Sequence, residues 1–268
     1  MRVEEDYQNI ILVSDRHGVH DADRLSDFQV RVKSERDSRD RWSSMPEDLW
    51  NSKIKDKKVV LLIHGYNNDY EEASEYFSNL AGGTKDLYDT HVGYLWPGSD
   101  DPWEYFDARS LTMESDLSLR LLKLIEEISS DAAQIDIIAF SMGCRLVLEA
   151  VKKGEQMRIS NVFFMAPAID NESLERGEIS VEDISQVENL FVFYSRRDEV
   201  LSLLYPMFEL DRALGSGGPE NLENVHPNVH LVDSSRYINN HSDYSSSDFI
   251  FKHIAKGSKE GSLSAESI

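Results

Sequence analysis

The hydrophobic pattern changes character at Lys58. Before it, two segments read as strands: Asn9 to Ser14 (NIILVS), a continuous apolar run, and Phe28 to Lys33 (FQVRVK), an alternating one. Both are expected at the edge of a sheet. Between Asp15 and Asp48 charges are dense and apolar residues sparse, which predicts surface loop with room for a hairpin and little share in the core. From Lys58 onward short apolar runs recur: Val59 to Ile63, Val92 to Trp96, Ile135 to Phe140, Val162 to Met165, Leu190 to Tyr194 and Val229 to Val232. Each is too short for a core helix and too apolar for a loop, the form of a strand covered on both faces.

The segments between these runs have helical spacing. Glu71 to Leu80 places Ala73, Tyr76, Phe77 and Leu80 on one face, and Leu111 to Ile128 does so with Leu117, Leu121, Leu124, Ile125 and Ile128. Met142 to Lys153 and Val200 to Leu210 are further helix candidates. Strand and helix in alternation predict a doubly wound, three-layer α/β domain with a mostly parallel sheet, assigned to residues 1–255 as a single domain. The remaining 256–268, KGSKEGSLSAESI, is rich in Ser, Gly and Glu and is expected to be a disordered tail.

Composition narrows the function. With 268 residues, 40% of them apolar, the chain can bury a core without staples, and its one cysteine, Cys144, excludes an internal disulfide or a cysteine-based zinc cluster. The 49 acidic residues against 28 basic ones give a net charge of −21, which disfavours nucleic acid and anionic bilayers as partners. No apolar run approaches the roughly 20 residues a membrane-spanning helix needs, and the first residues, MRVEEDYQNI, lack a basic region and an apolar core; the cytoplasm is the expected compartment.

The chemistry concentrates in IDIIAFSMGCRLVLEAV, Ile135 to Val151, where Ser141 sits between an apolar strand and a helix. A serine at such a turn is pushed above the sheet when small residues, here Ala139 and Gly143, let strand and helix approach closely. The adjoining helix N-terminus supplies N–H groups where negative charge would develop on an attacked carbonyl. A second strand ends in His64-Gly65-Tyr66-Asn67-Asn68, so the Tyr66 and Met142 amides can point at one oxygen as an oxyanion hole. His64 is read as a packing residue of that turn rather than a base. Asn67 is a turn former that could also polarise a substrate.

An acid and a base are expected on later loops. Asp198 follows the strand LFVFY, and His241 lies in the polar loop NNHSDY beyond the last strand, giving the chain order Ser, Asp, His. Asp170, just past FFMAPAI, is the rival acid; Asp198 is preferred because it lies one strand closer to the histidine loop. The cluster SDRHGVHDAD gathers Asp15, His17, His20, Asp21 and Asp23 but fits no strong zinc spacing, so neither a metal nor an organic cofactor is expected.

Together, VLLIHGYNN, GYLWPG with downstream EYFDARS, IAFSMGCRLVLEA, FYSRRDEVL and NNHSDY resemble the alpha/beta-hydrolase superfamily, and within it a bacterial branch of unknown function known as DUF900. The resemblance runs from about Asn9 to about Lys252. It implies a sheet of about eight strands, Ser141 as nucleophile, Asp198 as acid, His241 as base, and oxyanion amides from Tyr66 and Met142. It also implies a pocket-forming stretch that includes Trp96, Pro97, Tyr105, Asp107 and Ser110. Two positions depart from the usual pattern: Phe140 stands where relatives usually carry histidine, and Cys144 where they often carry asparagine. Phe140, His64, Asn67, Trp96 and Tyr105 are the candidate pocket residues.

The expected reaction is hydrolysis of small or medium carboxylic esters through an acyl-enzyme, with a small-molecule substrate and with self-association open. Lipase, thioesterase and peptidase activity use the same three residues and stay open, as does a hydrolase-fold interaction protein without turnover. The stretch Ser202 to Asn224 is the candidate for a small cap, with a core helix as its alternative.

Overall fold

The computed structural model describes residues 10–17, 22, 25–33, 45–99, 101, 103–113, 115–154, 157–176, 178 and 184–260. Its strands are β1 (Ile10–Arg16), β2 (Leu25–Lys33), β3 (Lys58–Ile63), β4 (Thr90–Leu95), β5 (Gln134–Phe140), β6 (Ile159–Met165), β7 (Val187–Tyr194) and β8 (Val229–Asp233). They form one eight-stranded sheet in the order β2-β1-β4-β3-β5-β6-β7-β8. Every neighbouring pair is parallel except β1 with β2. The helices are α1 (Glu47–Ile54), α2 (Tyr70–Thr84), α3 (Tyr105–Met113), α4 (Ser115–Asp131), α5 (Met142–Val151), the short α6 (Tyr205–Glu209) and α7 (Leu214–Gly217), and α8 (Asp248–Glu260).

The central strands are apolar at successive positions because both faces are covered. Val59, Leu61 and Ile63 of β3 pack with Leu117, Leu121 and Ile125 of α4 and Val147 of α5 in one core layer. Val60 and Leu62 pack with Ala73, Phe77 and Leu80 of α2 and with Ile250 and Ile254 of α8 in the other. The result is the three-layer, mostly parallel α/β fold expected from the alternation of runs.

Four expectations change. First, the Asp15-to-Asp48 stretch is not all surface: β1 continues through Asp15 and Arg16, 0% and 2% exposed. Their polarity is met inside, since the Tyr94 hydroxyl, Gln29 and Arg120 all donate to the Asp15 carboxylate. Residues 18–21, 23 and 24, with His20, Asp21 and Asp23 of the metal rival, lie outside the described residues. Second, α1 was not foreseen; it buries Trp50, whose indole N–H donates to Glu127 of α4 at 2.8 Å. Third, the helical stretch around Leu111 to Ile128 is two helices, α3 and α4. Fourth, α8 extends to Glu260, so 256–260 are helical rather than tail; Gly257 lets the helix lie on Phe191 and Phe163, where a Cβ would come within 2.9 Å of the Phe191 ring. Residues 261–268 lie outside the described residues.

Candidate active site

The carboxyl ends of parallel strands gather loops at one edge of the sheet, and three of those loops meet around Ser141. Ser141 joins β5 to α5 with φ 51° and ψ −121°. That backbone region costs a non-glycine residue on the order of 1–3 kcal/mol and persists only where the surroundings enforce it. They do so through backbone bonds: Ser141 N–H donates to Met165 O at 2.9 Å, and Ser141 O accepts from Ala168 N at 3.2 Å and Cys144 N at 3.1 Å. Gly143 lies so close to the β3 loop that a Cβ there would sit 2.3 Å from His64 O, and a Cβ on Gly65 would meet Ser141 Cβ at 3.2 Å. These glycines fix how closely the two loops approach.

His241 reaches this turn from beyond β8. The Ser141 hydroxyl donates to His241 Nε2 at 3.1 Å, and His241 Nδ1–H donates to Asp198 Oδ2 at 2.7 Å. Asp198 lies just after β7, is fully buried, and also accepts from Leu201 N through Oδ1 at 3.1 Å. Beneath the imidazole, the Phe140 ring packs with centroids 4.7 Å apart. Asp170, the alternative acid, is committed elsewhere: its Oδ1 accepts from the Tyr205 hydroxyl at 2.7 Å. The Cys144 thiol donates to Ala139 O at 3.2 Å, and burial pushes its pKa well above the usual thiol value, which marks it as a packing residue.

The opposite wall is the β3–α2 loop. Among the described residues no hydrogen-bond acceptor is assigned to the amide of Tyr66 or of Met142, as an oxyanion site requires. His64 is fully buried behind that loop, not in the pocket. Its Nδ1–H donates to Gly65 O at 2.7 Å, its Nε2 accepts from Arg16 Nη2 at 3.3 Å, and its ring stacks on Trp96 at 5.4 Å. Burial first, and the Arg16 charge second, hold its pKa well below the ordinary histidine value, which favours the neutral ring. Trp96 is likewise fully buried and donates through Nε1 to His64 O at 2.9 Å.

The pocket over Ser141 has a volume of about 750 Å³ and includes Tyr66, Asn67, Phe140 and Tyr105 among its lining residues. Of the candidate pocket residues, Asn67, Phe140 and Tyr105 line it, whereas His64 and Trp96 are buried and are not among its lining residues. A short π-helical turn (Val200–Leu204) and α6 close one side with Leu201, Leu204, Tyr205 and Phe208, so this part of the cap candidate serves the pocket. Tyr105 and Phe208 stack at 4.5 Å. The Glu209 carboxylate anchors the segment, accepting at Oε1 from the Tyr105 hydroxyl at 2.8 Å and from Arg109 at 2.5 Å, with Arg145 at 3.5 Å. Sequence reasoning missed Arg16, Arg145 and Glu209, none of which carries a local signal: Arg16 follows the apolar run NIILVS inside a charged segment. Among the described residues no group of three or more acidic, histidine or cysteine side chains is placed to hold a metal ion, and no helix is long and apolar enough to cross a membrane.

An eight-stranded, mostly parallel sheet between helical layers, with a strained serine at the β5–α5 turn, defines an alpha/beta-hydrolase fold. The model of the family described as alpha/beta hydrolase of unknown function (DUF900) matches residues 43–255, and the chain belongs to that family. No curated protein matches the chain. Solved structures similar in fold include the Pyrococcus furiosus esterase Pf2001, at 15% identity over 76% of this chain and 81% of that one, with a TM-score of 0.43. Another is the Bordetella parapertussis poly(3-hydroxybutyrate) depolymerase LpqC, at 12% identity over 79% and 83%, with a TM-score of 0.44. MenH from S. aureus is a third, at 13% identity over 76% and 94%, with a TM-score of 0.38.

Proposed function

We propose that this chain, read as one catalytic domain, is a serine carboxylesterase that hydrolyses small or medium uncharged esters. The observation that carries the reading is the continuous hydrogen-bonded line from the Ser141 hydroxyl through the His241 ring to the buried Asp198 carboxylate. Asp198 holds the imidazole with its proton on Nδ1, which leaves Nε2 free to take the hydroxyl proton as Oγ attacks the acyl carbon. The carbonyl oxygen becomes an oxyanion held by the Tyr66 and Met142 amides, each worth about 3–4 kcal/mol of barrier. His241 then protonates the departing alcohol. A water activated by the same ring attacks the acyl-enzyme, and the acid leaves with Ser141 restored.

Pocket chemistry selects among the enzymes that share this machinery. Among the described lining residues Glu199 is the one carboxylate, and none is a lysine or arginine. Phosphate-bearing acyl carriers would therefore meet a carboxylate and aromatic rings where they need cations, which favours neutral esters over such thioesters. A panel of p-nitrophenyl esters of rising chain length tests the reading against acyl-coenzyme A thioesters. Saturable ester hydrolysis that is lost in Ser141→Ala is expected. Ester turnover retained in that variant, or no turnover by the folded wild type, contradicts it.

A further inference from the structure

The oxyanion loop is held by a chain of bonds that begins outside the site, on β1. Arg16 is 2% exposed at the end of that strand, and its guanidinium spans three points of the site's rear wall. Nε donates to Trp96 O at 3.0 Å, just after β4, and Nη2 donates to Asn68 O at 2.8 Å in the β3–α2 loop and to His64 Nε2 at 3.3 Å. An arginine side chain is always a donor and never an acceptor, so the nitrogen it meets must carry a lone pair. His64 is thereby committed to the tautomer with its proton on Nδ1. That proton donates to Gly65 O at 2.7 Å.

In a trans peptide unit the C=O and the following N–H lie in one plane and point in opposite directions. Tying Gly65 O to the His64 ring therefore turns the Tyr66 N–H away from that ring. Tyr66 lines the pocket together with Ser141, so the free direction is the site. The relay has little freedom to relax. Trp96 stacks on the His64 ring and donates to His64 O at 2.9 Å, and the same carbonyl abuts Gly143.

We infer that Arg16 and His64 are positioning residues for the oxyanion hole: Arg16 sets the His64 tautomer, and His64 holds the Gly65–Tyr66 peptide with its N–H turned toward Ser141. The inference rests on the esterase reading. It adds that transition-state stabilisation is controlled from a residue on the first strand that touches no substrate. Without the guanidinium, His64 can place its proton on either nitrogen; with the proton on Nε2 the bond to Gly65 O is lost and the peptide can flip.

The test uses the full chain with p-nitrophenyl butyrate, with butylboronic acid as a mimic of the tetrahedral adduct, and with 15N-labelled histidine. In Arg16→Met, kcat is expected to fall about 100-fold or more with KM within about threefold, since removing one oxyanion donor costs 10²–10³. Butylboronic acid affinity should fall in parallel, and Arg16→Lys, which keeps a donor, should recover part of both. Unchanged kcat in folded Arg16→Met, or an unchanged boronic acid affinity beside a reduced kcat, overturns the inference. If Arg16→Met does not fold, the nitrogen spectrum of the wild type decides alone: a His64 proton on Nδ1 supports the relay and one on Nε2 overturns it. A wild type that neither turns over the ester nor reacts at Ser141 overturns the esterase reading along with it, whereas an active wild type failing the relay tests overturns the relay only.

Discussion

The floor of the site and its outer wall are built in opposite ways. On the floor, backbone bonds to Met165, Ala168 and Cys144 fix Ser141, and two glycines at close approach set the spacing of the β3–α2 loop from the β5–α5 turn. The wall, from the π-helical turn to the end of α6, lies at the surface; Leu203, Met207 and, just after it, Leu210 are 62%, 72% and 91% exposed. Side-chain bonds onto the Glu209 carboxylate and from Tyr205 to Asp170 tether it. Main-chain bonds and close glycine contacts hold the serine turn, whereas the wall is tied down by a few polar side chains.

If that division is right, changes to the floor should remove turnover while the wall still binds substrate. The largest effects belong to Ser141→Ala and His241→Ala, each expected to lower kcat by on the order of 10⁶ with the melting temperature little changed, checked by steady-state kinetics beside calorimetry. Asp198→Asn comes next, at roughly 10⁴ in kcat, because the His241 ring loses its enforced tautomer while the shape of the site survives. A wild-type rate in Asp198→Asn would return Asp170 to consideration as the acid.

Wall variants should behave differently. Glu209→Leu leaves the buried Arg145 without its carboxylate and should cost about 3 kcal/mol in urea unfolding. The surviving fold is expected to show a KM raised several-fold and a smaller change in kcat. Equal losses in both constants would mean that the wall also organises the floor.

The smallest effect separates the site from the scaffold. Burial pushes the His91 imidazole down to about 4 and lowers the His64 and His230 pKa values as well. For these groups the unfolded chain takes up protons first as pH falls. The His91 contribution to stability is therefore complete above the unfolded value of about 6.5 and is lost progressively between there and about pH 4, and His64 and His230 act in the same direction. Urea midpoints should be flat near pH 7.5 and decline below pH 6.5. His91→Gln, which can still bond Thr84, should make that decline shallower without altering ester turnover at pH 8.

The sequence disclosed the floor better than the wall, for a physical reason. A buried parallel strand, a small-x-Ser-x-Gly turn and a following helix are written in consecutive residues, so Ser141 and its elbow are visible locally. Asp198 and His241 could be ranked from chain order, but their meeting depends on how β7 and β8 extend past the sheet edge. Glu209 finds Tyr105 and Arg109 about a hundred positions away, and no local pattern encodes that contact. Arg16 was obscured by its neighbours: the charged segment after NIILVS reads as loop, yet the strand runs two residues further and carries the guanidinium inside. Trp50 was missed for the same reason, since the short α1 follows that charged segment.

Fluorophosphonate labelling followed by peptide mass mapping asks whether Ser141 is a nucleophile activated by His241. Rapid, stoichiometric modification at Ser141 at pH 8, abolished in Ser141→Ala and slowed by orders of magnitude in His241→Ala, is the predicted result. Folded wild-type protein that stays unmodified, or that reacts equally well without the imidazole, would contradict it.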